Sequence, residues 1–132
     1  MYASIYLCGA IQNRTDEQCV AWRETVQKKY RGHCSNPMRR DYRGRELTNY
    51  RQLVEDDLND IRRCDALLVY YDGPSVGTSM EIFYAHRILR MPVIVIDVSH
   101  VNRSPWLVRH TDIFTSTIDE AIAVLEQITP HK

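Results

Sequence analysis

Glu81 is the residue whose setting most invites chemistry. It lies about one turn into a segment of helical periodicity, behind a loop carrying Gly73, Ser75, Gly77, Thr78 and Ser79. That loop follows a short apolar run at 66–71, so residues 72–85 read as a strand–loop–helix joint. Open α/β sheets bind their ligands at such joints, outside the carboxyl ends of the strands. A carboxylate near a helix start is favoured in its ionised form by the macrodipole, by about 0.3–1 kcal/mol. An ionised carboxylate can attack an anomeric carbon and carry the sugar as an ester. This chemistry needs a second carboxyl, protonated, for the leaving base and a hydroxyl to orient the nucleophile. Asp57 and Tyr6 are of those types. The amides and hydroxyls of the loop, Ser75 and Gly77 among them, suit sugar hydroxyls or a phosphate.

Other chemistries find less. The joint has no G-x-G-x-x-G and no Walker lysine, which leaves dinucleotide and P-loop readings weak. Cys8, Cys19, Cys34 and Cys64 lack the short spacings of zinc or redox pairs, and the five histidines form no close pair, so neither a metal nor a cofactor is expected. With 17 basic and 17 acidic residues the chain carries no net field that would advertise nucleic acid or a membrane as partner. No apolar run approaches a membrane span. The start, Met1-Tyr2-Ala3-Ser4, lacks the pattern of a signal peptide. A cytoplasmic protein with reduced thiols is the expectation. The 132 residues, 44% hydrophobic and 26% charged, suit one domain over 1–132.

The elements that position these residues follow in order. Residues 2–8 form a first strand stopped by Gly9, and Gly9-Ala10-Ile11 is a tight exit loop. Thr15 and Gln18 suit a capping box opening a helix. Val20, Ala21, Val26 and Tyr30 form its apolar stripe, with Trp22 at the border and Gly32 at the end. A short second strand at 33–36 precedes Pro37, which excludes helical geometry at Asn36. Residues 38–45 hold four arginines, Arg39, Arg40, Arg43 and Arg45. Such a run is by default a solvated loop. Here it leaves a strand's carboxyl end on the same rim as Glu81, where Arg39 and Arg40 could fork onto a phosphate. A helix capped at Thr48 or Asn49 runs to about Cys64, with Leu53, Val54, Leu58 and Ile61 inward. Strands at 65–71 and 92–97 flank a helix reaching about Arg90. A loop at 98–109, a strand at 112–115, a helix opened by Thr117 and a tail at 130–132 complete the chain. The last helix turns Ile118, Ala121, Ile122, Leu125 and Ile128 inward. Alternating β and α segments predict a flavodoxin-like three-layer α/β/α sandwich whose five-stranded parallel sheet has the order 2-1-3-4-5. Its switch point would set Gly9 opposite the Glu81 joint and gather Tyr6, Asp57, Ser75 and Glu81.

Three stretches resemble one family. Ile5-Tyr6-Leu7-Cys8-Gly9-Ala10-Ile11 is similar to its first strand and loop. Asp57 stands eight residues before Asp65, where the family carries an acid. Ser75-Val76-Gly77-Thr78-Ser79-Met80-Glu81, followed by Tyr84-Ala85, is similar to its nucleophile helix. This is the nucleoside 2-deoxyribosyltransferase superfamily, which includes 2′-deoxynucleoside 5′-phosphate N-hydrolases. The resemblance implies Glu81 as nucleophile, Asp57 as proton donor or sugar-positioning acid, and Tyr6 as its companion. It also implies Gly9, Ile11, Ser75 and Gly77 at the substrate. The transferases have Asp where this chain has Ser75; the nucleotide hydrolases have a Ser on the 5′-phosphate. Ser104 falls where a second phosphate-binding serine would be supplied across a dimer interface, and Asn102 is the candidate for the transferases' asparagine. The implied state is a homodimer or larger homo-oligomer.

The expected activity is cleavage of the N-glycosidic bond of a nucleoside 5′-monophosphate through a Glu81-linked sugar ester. A base-exchanging transferase shares the first half-reaction. A nucleotide sensor without turnover is the rival from another class, and a nucleic-acid binder using Arg39 to Arg45 rests on local charge alone.

Overall fold

A computed structural model describes residues 1–131; Lys132, the last residue of the expected tail and domain, lies outside the described residues. The chain runs β1 (Ile5–Gly9), α1 (Asp16–Lys29), β2 (Cys34–Ser35), a 3-10 turn (Pro37–Arg39), α2 (Tyr50–Arg62) and β3 (Ala66–Tyr71). It continues through α3 (Val76–Phe83), a π turn (Tyr84–Ile88), β4 (Val93–Asp97), α4 (Pro105–Arg109), β5 (Ile113–Thr115) and α5 (Ile118–Leu125). All strand pairs are parallel and the order is β2-β1-β3-β4-β5. The predicted topology is present.

The central strands are continuous apolar runs because helices cover both faces of the sheet. Their period of two divides the core. Ile5, Leu7, Leu68, Ile94 and Ile96 pack with Trp22, Val26, Ala121 and Leu125 beneath α1 and α5. Tyr6, Cys8, Leu67, Val69, Val93 and Val95 face Ile61, Ile82 and Ala85 on the other side. Each such aliphatic burial is worth about 1.5–3 kcal/mol. This parity has a consequence for chemistry: Tyr6 and Cys8 point to the side occupied by α2 and α3.

Several boundaries differ from the sequence reading. β1 begins at Ile5 and includes Gly9, which pairs with Tyr70. The residues of α1 that are buried are Cys19, Trp22, Arg23 and Val26, whereas Val20 is half-buried and Ala21 exposed. The helix is phased by Trp22 and Val26, which puts an arginine where apolar type suggested alanine or valine. Tyr30, as expected, is buried and donates its hydroxyl to the Ala3 carbonyl. On α2 the same effect leaves Val54 exposed while Ile61 is buried. Asn49 occupies the N-cap of α2 without a side-chain cap bond. Asn36 belongs to the 3-10 turn, capping it through the Met38 amide, instead of extending β2. The 98–109 loop contains the short helix α4. The capping box at Thr15 is present, and a second one stands at Thr117.

Candidate active site

The carboxyl ends of β1 and β3 border a cleft of about 480 Å³, walled also by α2 and the loop after the 3-10 turn. Tyr6, Gly9, Ile11, Arg40, Asp57, Ser75, Gly77 and Glu81 all line it. Arg39 and Ser104 do not. Ser104 instead caps α4, accepting from the Trp106 amide at 3.1 Å, and Asn102 is exposed in the loop before it.

Glu81 sits partly buried at the cleft floor. Its Oε2 lies 3.5 Å from the Tyr6 hydroxyl and its Oε1 3.2 Å from Cys8 Sγ. The phenol and the thiol are the donors, and burial pushes both well above their ordinary pKa, so both stay protonated. They come from alternate residues of one strand, which brings two rungs to bear on one carboxylate. Cys8 was not among the residues singled out from the sequence, although its spacing of two from Tyr6 was the available signal.

The macrodipole expectation for Glu81 is overturned. Glu81 is the sixth residue of α3, beyond the first turn in which the dipole acts. Burial, then the nearby Asp57, push its carboxyl from an ordinary 4.5 up to about 8. Asp57, half-buried on α2, is itself raised to about 6, chiefly by burial and against the pull of Arg40. Two such carboxyls titrate as a pair and hold one proton between them around neutrality. The higher value of Glu81 leaves that proton mostly on Glu81 with Asp57 ionised; the form in which Glu81 can attack and Asp57 can donate is the tautomer in which the proton has passed to Asp57.

The arginine pair departs from the expected free forks. Arg39 grips both oxygens of buried Asp60 at 2.9 Å, and Arg40 pairs with Asp60 and, at 3.3 Å, with Asp56. Asp56 also accepts from the Tyr42 hydroxyl at 2.9 Å. The cause is local: α2 presents Asp56 and Asp60 one turn apart to the loop that carries the arginines. The pair therefore braces the cleft wall behind Asp57. Arg14, also lining the cleft, forks onto Asp72 at 2.9 and 3.0 Å.

Ser75 is the N-cap of α3; its oxygen accepts from the Thr78 amide at 3.5 Å, which leaves its proton free to donate. Thr78, one of the loop hydroxyls noted in the sequence though not chosen as a site residue, is buried with its hydroxyl oxygen unpartnered among the described residues, and it lines the cleft. Buried hydroxyls are normally satisfied, so this one marks a place for a ligand atom. Gly9 and Gly77 differ in what requires them. A Cβ on Gly9 would lie 2.9 Å from the Trp22 ring and 3.3 Å from the Tyr70 carbonyl oxygen, so packing alone demands glycine. A Cβ on Gly77 meets nothing within 4 Å. Gly77→Ala should therefore stabilise α3 by about 0.5–1 kcal/mol yet weaken substrate binding severalfold. Thermal melts beside KM measurements check this; an unchanged KM would remove Gly77 from the substrate surface.

Strand order and cleft position define a doubly wound, flavodoxin-like α/β fold with its cleft at the switch point. Among solved structures the chain is similar to the 2-deoxyribosyltransferase of the psychrotolerant bacterium Bacillus psychrosaccharolyticus. The TM-score is 0.76 at 18% identity, covering 98% of this chain and 100% of that one. The fold implied by the sequence resemblance is thus present. No protein-family model and no curated protein matches the sequence.

Proposed function

We propose that this chain is a cytoplasmic member of the nucleoside 2-deoxyribosyltransferase superfamily, comprising one domain over 1–132, that hydrolyses the N-glycosidic bond of a nucleoside 5′-monophosphate. The observation that carries the reading is the Glu81 carboxyl, within hydrogen-bond reach of the Tyr6 hydroxyl and the Cys8 thiol and lining one cleft with Asp57. Once the shared proton has passed from Glu81 to Asp57, a Glu81 oxygen attacks C1′ as the C1′–N bond breaks, and the departing base takes the proton from Asp57. Asp57, now ionised, removes a proton from water, which attacks C1′, frees Glu81 and leaves the sugar phosphate. Both steps balance with water alone. No metal or cofactor enters.

The phosphate is assigned to Ser75, Thr78 and the first amides of α3, where a helix N-terminus favours an anion. The engagement of Arg39 and Arg40 by carboxylates removes one support for an anionic substrate, so the weight rests on this helix start. Base exchange by the same first half-reaction is the second reading, and the solved transferase with this fold favours it. Incubation with nucleosides and their monophosphates, with and without an acceptor base, separates the two. Free sugar phosphate is expected; exchange without free sugar would assign the transferase, and tight binding without product the sensor. Ser75→Asp should lower kcat/KM for monophosphates about 10- to 100-fold through like-charge repulsion while sparing nucleosides. Equal losses on both substrates would move the phosphate elsewhere.

The protein is further proposed to act as a homodimer or larger homo-oligomer. Val76, Met80 and Phe83 of α3 and Trp106 of α4 are exposed, an apolar surface that suits a partner copy. Ser104 opens α4 beside Trp106, on the surface that copy would cover. Its mass in solution tests this.

A further inference from the structure

We propose that Arg23 is a positioning residue whose buried guanidinium is the fixed counter-charge of ionised Glu81 and the brace of the strand that holds it. The inference rests on the glycosidic reading of the site but makes a claim about charge that can fail separately. Arg23 is 0% exposed. Its guanidinium donates to Cys19 O at 2.6 Å, Gly9 O at 3.0 Å and Leu7 O at 3.2 Å, and lies 4.7 Å from the Trp22 ring centre. None of these partners carries a charge. A buried cation with only neutral partners is costly unless an anion lies near.

The groups facing Glu81 are Tyr6 and Cys8 from β1, Arg23 from α1 and Asp57 from α2, with Arg40 behind Asp57 on the cleft wall. Tyr6 and Cys8 are neutral donors. Arg40 is engaged by Asp56 and Asp60. Arg23 is therefore the cation not already committed to another carboxylate. It makes the singly ionised Glu81–Asp57 pair close to neutral as a cluster, and its field eases the ionisation of Glu81. The charge is in place before substrate arrives, so no reorganisation accompanies the reaction. The bonds to Leu7 O and Gly9 O also fix the end of β1, from which Tyr6 and Cys8 reach the carboxylate.

The test compares Arg23→Gln, which keeps amide donors and loses the charge, with Arg23→Lys, which keeps the charge and loses the fork. Glu81 is titrated directly by carbon NMR of its carboxyl, without turnover. In Arg23→Gln the carboxyl should bind its proton tenfold or more tightly, and both limbs of the kcat/KM profile should move up with it. In Arg23→Lys the proton affinity should stay within about twofold even where stability falls. Equal titration in both variants would leave Arg23 a structural brace only. Should Arg23→Gln not fold, the Nε–H resonance of Arg23 decides. In the native protein it should shift with the Glu81 midpoint, and that step should vanish in Glu81→Gln. A resonance indifferent to Glu81 ionisation would overturn the proposal. Because these titrations need no substrate, they can succeed when the proposed reaction fails.

Discussion

Glu81→Gln is expected to lower turnover about 10³- to 10⁵-fold, the scale on which nucleophiles matter, and to make the protein more stable in alkaline solution. The second effect follows from burial. The folded chain holds the Glu81 proton up to about 8, whereas the ordinary carboxyl releases it near 4.5. Folding therefore favours the protonated carboxyl. The stability attached to that proton is fully present below about 4.5, falls through the interval and is lost above about 8. A neutral glutamine escapes the loss. Water in the open cleft screens part of it, so the expected gain is about 1–3 kcal/mol at pH 9, vanishing near pH 4. Thermal melts of both proteins across this range would reveal it. A variant that is inactive but not stabilised at high pH would mean that Glu81 is not desolvated as described. A variant that keeps full activity would end the covalent mechanism in both its hydrolase and transferase forms.

The second large effect concerns Asp57 and the shape of the pH profile. On the proposed mechanism the active state has one proton on the pair, so kcat/KM should be bell-shaped with limbs at about 6 and about 8. Below the acid limb both carboxyls are protonated and the nucleophile is lost. Above the alkaline limb both are ionised, and the leaving base finds no donor. Asp57→Asn removes the donor and should lower the rate about 10²- to 10⁴-fold. It also removes the like charge beside Glu81, so that carboxyl should titrate in a single step below about 8, and the acid limb should settle between about 6 and about 8. The alkaline limb should disappear. A substrate whose leaving group departs without a proton should lose far less in Asp57→Asn than a natural nucleoside monophosphate. An unchanged bell in Asp57→Asn would show that another group supplies the proton.

Topology was legible because continuous apolar strands alternating with capped helices leave few ways to build a covered parallel sheet. The convergence of Tyr6, Asp57, Ser75 and Glu81 on one cleft followed from that topology, since β1 and β3 are neighbours and α2 and α3 cover the face to which Tyr6 points. Helix faces were less legible. In α1 the apolar type of Val20 and Ala21 suggested a stripe that the phase set by Trp22 and Val26 excludes, and Arg23 went inside. The loop at 98–109 hid α4, whose five residues are too few to show a period. The arginine pair misled for a related reason. Residue type advertises a charge, but not whether another element brings carboxylates to meet it.

For Glu81 itself, the sequence determined its place on the strand–loop–helix joint and, through the strand period, that Tyr6 and Cys8 share a face. These are short-range facts, written in spacing and residue type. Only the tertiary structure decided the electrostatics: that burial and Asp57 raise the Glu81 carboxyl, that Arg39 and Arg40 are occupied by Asp56 and Asp60, and that Arg23 lies beneath the cleft. Charge energies depend on distance and on exclusion of water, and both are set by parts of the chain far apart in sequence.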